Sequence, residues 1–231
     1  MRNKDRKFGV VAGLVLALAL LVISFQPAAA ADPVEQQGTV DKALVTFRNF
    51  WADKDMEWFH NNLKDTKALL IIPNLLKAGF ILGGSGGSGV LVARDEKMGD
   101  WSQPAFYTVG SVTFGLQIGG ESAEVIMMIR TQKALDALYT TEFKLGGDTS
   151  IAVGPVGAGA KGAVTADIVS FAKSKGLFAG LNLEGAVVKV SAKSNKAYYA
   201  QAASPVDILV KKTVSNPGSA NLREELKKAE K

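Results

Sequence analysis

Short apolar runs that enter and leave glycine pairs constrain this chain more than any other feature. The clearest case spans Lys77 to Asp95. It reads Lys-Ala-Gly-Phe-Ile-Leu, then Gly-Gly-Ser-Gly-Gly-Ser-Gly at 83–89, then Val-Leu-Val-Ala-Arg-Asp. The same grammar recurs from Phe114 to Ile129 around Gly119-Gly120, from Phe143 to Val153 around Gly146-Gly147, and from Gly176 to Val190 around Gly180. Glycine reaches the positive φ angles of tight turns without steric cost, so the pattern predicts antiparallel hairpins tipped by glycine. The expected fold class is α+β. Its sheet is glycine-rich, mostly antiparallel and curved or barrel-like, with an N-terminal amphipathic helix and short C-terminal helices.

Helical spacing appears first over residues 33–63. Val40, Leu44, Phe47 and Trp51 share a face that Ala43 and Phe50 widen, and a break is expected near Asp53-Lys54-Asp55. Two readings of that aromatic face stand. It packs on the sheet, or it lies in a lipid headgroup layer through Phe47, Phe50 and Trp51. Ala68 to Ile72 reads as a buried strand that ends at the Pro73-Asn74 turn. Ser122 to Arg130 is too continuously apolar for a one-sided sheet and should be a central strand. Thr131 is placed to cap a helix through Tyr139. Val164 to Lys173 reads as a strand. Ser204-Pro205-Val206-Asp207 has the shape of a capping box, so a short helix should follow to about Lys212. Ala220 to Lys231 is a charged helix with Leu222 and Leu226 as its apolar pair.

The first thirty residues differ from the rest. Arg2, Lys4, Arg6 and Lys7 precede an apolar stretch from Val10 to Phe25, and Ala28-Ala29-Ala30 offers a small-residue cleavage site. This is the pattern of a Sec-type signal peptide over residues 1–30, with a retained anchor as the alternative. One domain over 31–231 is expected, with its core at about 40–212. The protein is then exported: to the periplasm or outer-membrane surface in a bacterium, or to the medium. Three of the five net positive charges belong to residues 1–30. The basic balance therefore gives no reason to expect a nucleic-acid partner.

Most chemical motifs fail on context. The chain has no cysteine and a single histidine, His60, so thiolate chemistry is excluded and a histidine-built zinc site nearly so. Gly84 to Gly89 fits G-x-G-x-x-G, and Gly83 to Gly87 fits G-x-S-x-G. Each motif needs a helix directly after the glycines, where Val90-Leu-Val-Ala reads as strand. Asp148 and Glu121 both follow glycine pairs, and with Glu184 they are the candidates for carboxylate chemistry. No cofactor and no resident metal is expected. The basic residues Lys77, Arg94, Lys144, Lys161, Lys173 and Lys175 sit beside glycine segments or strand ends. If the hairpin tips share an edge, these residues with the free loop N–H groups of Gly84, Gly86 and Gly87 form an anionic-headgroup site.

Seven segments together resemble the SYLF domain. They are Ile72 to Phe80, Gly83 to Gly89, Trp101 to Tyr107, Phe114 to Gly120, Phe143 to Asp148, Ala152 to Gly157 and Ser174 to Ala186. The resemblance covers roughly residues 40 to 212. It implies a non-enzymatic lipid-binding module whose eukaryotic relatives bind phosphoinositides and couple membranes to actin through attached domains. It also implies lipid contact through a segment before the core, here Val40 to Trp51, and through basic residues such as Lys77 and Arg94. The expected partner is an anionic lipid or membrane surface, with an envelope protein as the alternative.

Overall fold

The computed structural model describes residues 31–79, 82–114, 119–147, 149–157, 164–174, 176–178, 181 and 183–230. Helix α1 (Pro33–Trp51) opens this part of the chain. The Asp32 carboxylate accepts from the Val34 N–H at 2.8 Å, and Pro33 fills the first turn, where no N–H is needed. Val40, Ala43, Phe47 and Phe50 form its buried stripe. The chain breaks at Asp53, makes one 3-10 turn at Lys54–Met56, and continues as helix α2 (Glu57–Asn62). Phe47 stacks on Trp51 at 5.9 Å, and Phe59 meets Phe171 edge-on at 5.6 Å. The interfacial-helix reading is therefore corrected. Phe47 and Phe50 are 0% exposed and Trp51 is half-buried against Phe47, so the aromatic face holds the helix to the core and does not form an interfacial surface.

The strands are β1 (Ala68–Gly79), β2 (Leu82–Asp95), β3 (Asp100–Trp101), β4 (Ala105–Phe114), β5 (Gly119–Ile129), β6 (Glu142–Lys144), β7 (Ile151–Val153), β8 (Ile168–Ser174), β9 (Leu177–Phe178) and β10 (Val187–Val190). Helix α3 (Gln132–Leu138) follows β5, α4 (Ala192–Tyr199) follows β10, and α5 (Ala220–Ala229) comes last. The sheet runs β6-β10-β4-β2-β1-β5-β8-β7, with β3 paired to β2 and β9 to β8. It is strongly curved, a half-barrel. Its described pairings are antiparallel apart from β7 with β8.

Three sequence expectations change here. Residues 83–89 are not a turn loop: they are the first half of β2, paired with β1 on one side and β4 on the other. β1 does not end at Pro73. It passes through a bulge, with register shifts between Ile71 and Asn74 against β2 and between Ile72 and Leu75 against β5. Proline has no N–H to give a ladder, and the bulge accommodates it inside a central strand. The bulge also explains the glycines opposite it. A Cβ on Gly89 would lie 2.3 Å from the Ile71 carbonyl oxygen, and one on Gly87 would lie 2.6 Å from that of Asn74. Finally, the three downstream hairpins are not hairpins. β4 and β5 flank the β1–β2 pair, β6 pairs with β10, and β9 pairs with β8. Apolar patterning fixes which residues are strand, but each strand's neighbour is chosen by packing far away in sequence.

β5 lies between β1 and β8 with Val125 to Ile129 buried, as its continuous apolar run predicts. β8 is buried along its whole length. The two sheet faces are told apart at Phe106 and Tyr107, neighbours that point opposite ways. Phe106 meets Tyr198 of α4 at 5.0 Å, and its N–H donates to the buried Asn195 Oδ1 at 2.8 Å. Tyr107 donates its hydroxyl to the Leu138 carbonyl of α3 at 2.5 Å, and burial raises its pKa far above the usual value. Helices α4 and α5 each touch α1 on the Phe106 face, while α3 packs on the Tyr107 face. The Thr131 cap, the Ser204–Asp207 box and α5 form where the sequence places them. Helix α4 carries no such local signal and is an addition.

Candidate functional site: a bare sheet face at the glycine end

The helical layer stops short of the glycine end of the sheet. One cross-strand row there reads Ser122, Leu76, Gly86, Gly110, Val187 and Lys144, from β5 through β1, β2, β4 and β10 to β6. The next row on the same face reads Asn74, Ser88, Thr108, Lys189 and Glu142. Both rows lie on the Phe106 side, two and four residues along β4 from it. Asn74, Ser88, Thr108 and Ser122 are exposed, and Leu76 is 56% exposed at the centre. Lys144 and Lys189 stand at the β6–β10 side. The Glu142 carboxylate is 4.0 Å from Lys189 in an exposed pair, too weak to cancel its field. Glycines at 86 and 110 leave this surface low, with its relief supplied by hydroxyls, the Asn74 amide, one leucine and two lysines.

The residues singled out from sequence divide sharply. Lys144 and Gly86 lie on this face, and Gly84 is one row further toward the tip. Gly87 points the other way, against the bulge. The N–H groups of Gly84, Gly86 and Gly87 belong to a central strand with partners on both sides. The expectation that they form a loop of free donors is thereby corrected. Lys77 also faces the other side, in a row with Ser85 and Ser111, and its ammonium is 3.9 Å from Glu121. Arg94 sits at the far end of β2, nine residues from the Lys77 partner Ser85, or about 30 Å along a strand. Its Nε donates to Glu230 at 2.9 Å, next to the docked α5. Lys173 is 7% exposed. Its ammonium binds the Asp53 carboxylate, donates to the Asn49 carbonyl at 3.1 Å and lies 5.2 Å from the Phe50 ring centre. It is a structural cation tying β8 to the end of α1. Lys161 and Lys175 lie outside the described residues, as does Asp148.

Sequence reasoning missed Leu76, Ser88, Thr108, Ser122 and Lys189. Alternation would have put Ser88 with Gly86 had 83–89 been read as strand; the others join this face only through the strand order. Among the described residues no group of three histidine or acidic side chains is placed to hold a metal ion, and no helix is long and apolar enough to cross a membrane.

Residues 110–229, from the middle of β4 through α5, match the family model described as Ysc84, Las17-binding protein actin regulator. LAS seventeen-binding protein 3 of Saccharomyces cerevisiae is 37% identical over 146 residues, which are 59% of this chain and 31% of that protein. SH3 domain-containing YSC84-like protein 1 of Homo sapiens is 34% identical over 145 residues, 61% of this chain and 42% of that protein. SH3 domain-containing protein PJ696.02 of Schizosaccharomyces pombe is 37% identical over 137 residues, 56% and 32% of the two chains. This chain thus spans less than half the length of each of these relatives.

Proposed function

This chain belongs to the SYLF (Ysc84) family of Las17-binding protein actin regulators, and from that premise we propose that it is a non-enzymatic module that binds anionic lipid headgroups or membrane surfaces. The observation that carries the reading is the bare face at the glycine end. A membrane surface is broad and flat, and this face offers few side chains to hold it off. Leu76 supplies apolar contact at its centre, and the exposed Ser88 hydroxyl can donate to phosphate oxygens. Lys144 and Lys189 each contribute about 1 kcal/mol near an anionic surface. As part of the same proposal, residues 1–30 act as a cleavable export signal, and the module works in the periplasm or at the outer membrane. The mass of the mature protein, expected to begin at Ala31, tests that part.

Co-sedimentation with neutral and anionic vesicles at low and high salt tests the binding. Protein from Ala31 onward should pellet with anionic vesicles, less so as salt rises, and the K144E/K189E double variant should stay in solution. Wild-type protein that ignores vesicles under every condition would sink the lipid reading. A protein partner is the competing reading, favoured by the names of the relatives, which identify them as Las17-binding and SH3-containing proteins. A stable protein complex formed without vesicle binding would select it.

A further inference from the structure

Among the described residues, arginines are met by carboxylates, with one exception. Arg48 faces Glu225 at 2.7 Å, Arg94 faces Glu230 at 2.9 Å and Arg223 faces Asp100 at 2.9 Å. Among the described residues, Arg130 has no carboxylate at ion-pair distance. It follows β5, at the end of the sheet away from the glycines, and lines a cleft with Trp58, Asn62, Asp65, Val164 and Thr165. Its guanidinium carbon lies 5.5 Å from the Trp58 ring centre, and one nitrogen donates to the Val164 carbonyl. Both contacts fix the plane of the group. A guanidinium is a planar fork of five N–H donors, more than the Val164 carbonyl uses, and the residue lines the cleft.

The acidic neighbours do not neutralise it. Asp167 accepts from the Ser150 N–H and hydroxyl at 2.9 Å each and from the Thr131 hydroxyl at 2.8 Å. Those bonds hold its carboxyl below the usual range and occupy both of its oxygens. Asp65 lines the cleft without reaching Arg130. The Asn62 amide nitrogen donates to the Trp58 carbonyl at 2.7 Å, leaving its own carbonyl oxygen as an acceptor. The walls therefore combine a fixed, uncompensated cation with two acceptors and an aromatic side.

We infer that this cleft binds a small molecule that carries an oxyanion, carboxylate or phosphate, together with a hydroxyl or N–H donor. The oxyanion sits in the Arg130 fork, where planar bidentate pairing is strongest. The donor meets Asp65 or Asn62, and the body of the molecule lies along Trp58. This site is separate from the bare sheet face, so its test and the vesicle test fail independently.

The test is titration of the ¹⁵N-labelled protein, from Ala31 onward, with benzoate and separately with inorganic phosphate. The Trp58 indole and the Thr165 and Asn62 signals should shift and saturate with at least one probe. Response to benzoate alone assigns a carboxylate ligand, and response to phosphate alone assigns a phosphate. R130K keeps the charge but loses the fork, and should bind about tenfold more weakly. Should R130K unfold, the wild-type shift map decides, because the shifts must centre on Trp58, Asn62 and Thr165. Shifts scattered over surface lysines, no saturable shift with either probe, or equal affinity in a folded R130K would overturn the assignment.

Discussion

Gly89 and Gly86 are three residues apart in one strand, yet they answer to different constraints. A methyl group at 89 would press into the Ile71 backbone at the β1 bulge, whereas at 86 its nearest neighbour is 3.9 Å away. G89A should destabilise the fold by more than about 2 kcal/mol, because backbone cannot yield as a side chain does. G86A should fall within about 0.5 kcal/mol of wild type, since alanine also lowers the entropy of the unfolded chain. Urea denaturation of the two variants checks the contrast, and equal losses would mean the bulge is not where the constraint lies. The glycine run was visible in the sequence, but its purpose was not. A turn and a close backbone approach both demand glycine, and a single chain carries nothing that separates the two demands.

Elements governed by near neighbours were legible. The stripe of α1, the Thr131 cap and the Ser204–Asp207 box depend on residues within a turn or so of one another, and all three form as read. Strand neighbours were not legible, because Gly110 pairs with Val187, and Glu142 with Lys189, through choices made by the whole core. The candidate site suffered for the same reason: Lys144 was found, while Lys77, Arg94 and Lys173 were grouped although the sheet separates them. Lys173 makes a testable link between elements. Its hydrogen bond, aided by the Asp55 N–H, holds the Asp53 carboxyl below its usual 3.8. A carboxyl whose folded pKa is depressed adds stability that is complete above the unfolded value and is lost as pH falls through the folded one. Unfolding free energy should therefore be level above about pH 5 and decline below about pH 4. D53N should lose about 1–3 kcal/mol at neutral pH, because it removes the carboxylate that meets the buried Lys173 ammonium, and its acid decline should be shallower. Asp167 shifts the same way, so some decline remains. An unchanged acid slope in D53N would refute the link.

For the whole molecule, the C-terminal helix matters more than its charged sequence suggests. Leu222 and Leu226 are buried in the same core as α1 and the sheet. Around them Glu225 meets Arg48 of α1, and Arg223 meets Asp100 and the Trp101 carbonyl. L226A should cost about 2–4 kcal/mol, and fluorescence and circular dichroism should still report one shared transition. A separate early transition in the variant would show that the helix is a detachable appendage. The nested strand order β4-β2-β1-β5 has a consequence during synthesis. Once β4 leaves the ribosome it can add to the β1–β2 pair at once, but its outer edge waits for Val187 to Val190. The interval from Gly110 to Val187 is 77 residues, roughly 4–15 s at ordinary elongation rates. Through that interval the nascent chain presents an open template of unpaired backbone, and a stall in translation between those points is the moment at which this protein is most exposed to aggregation.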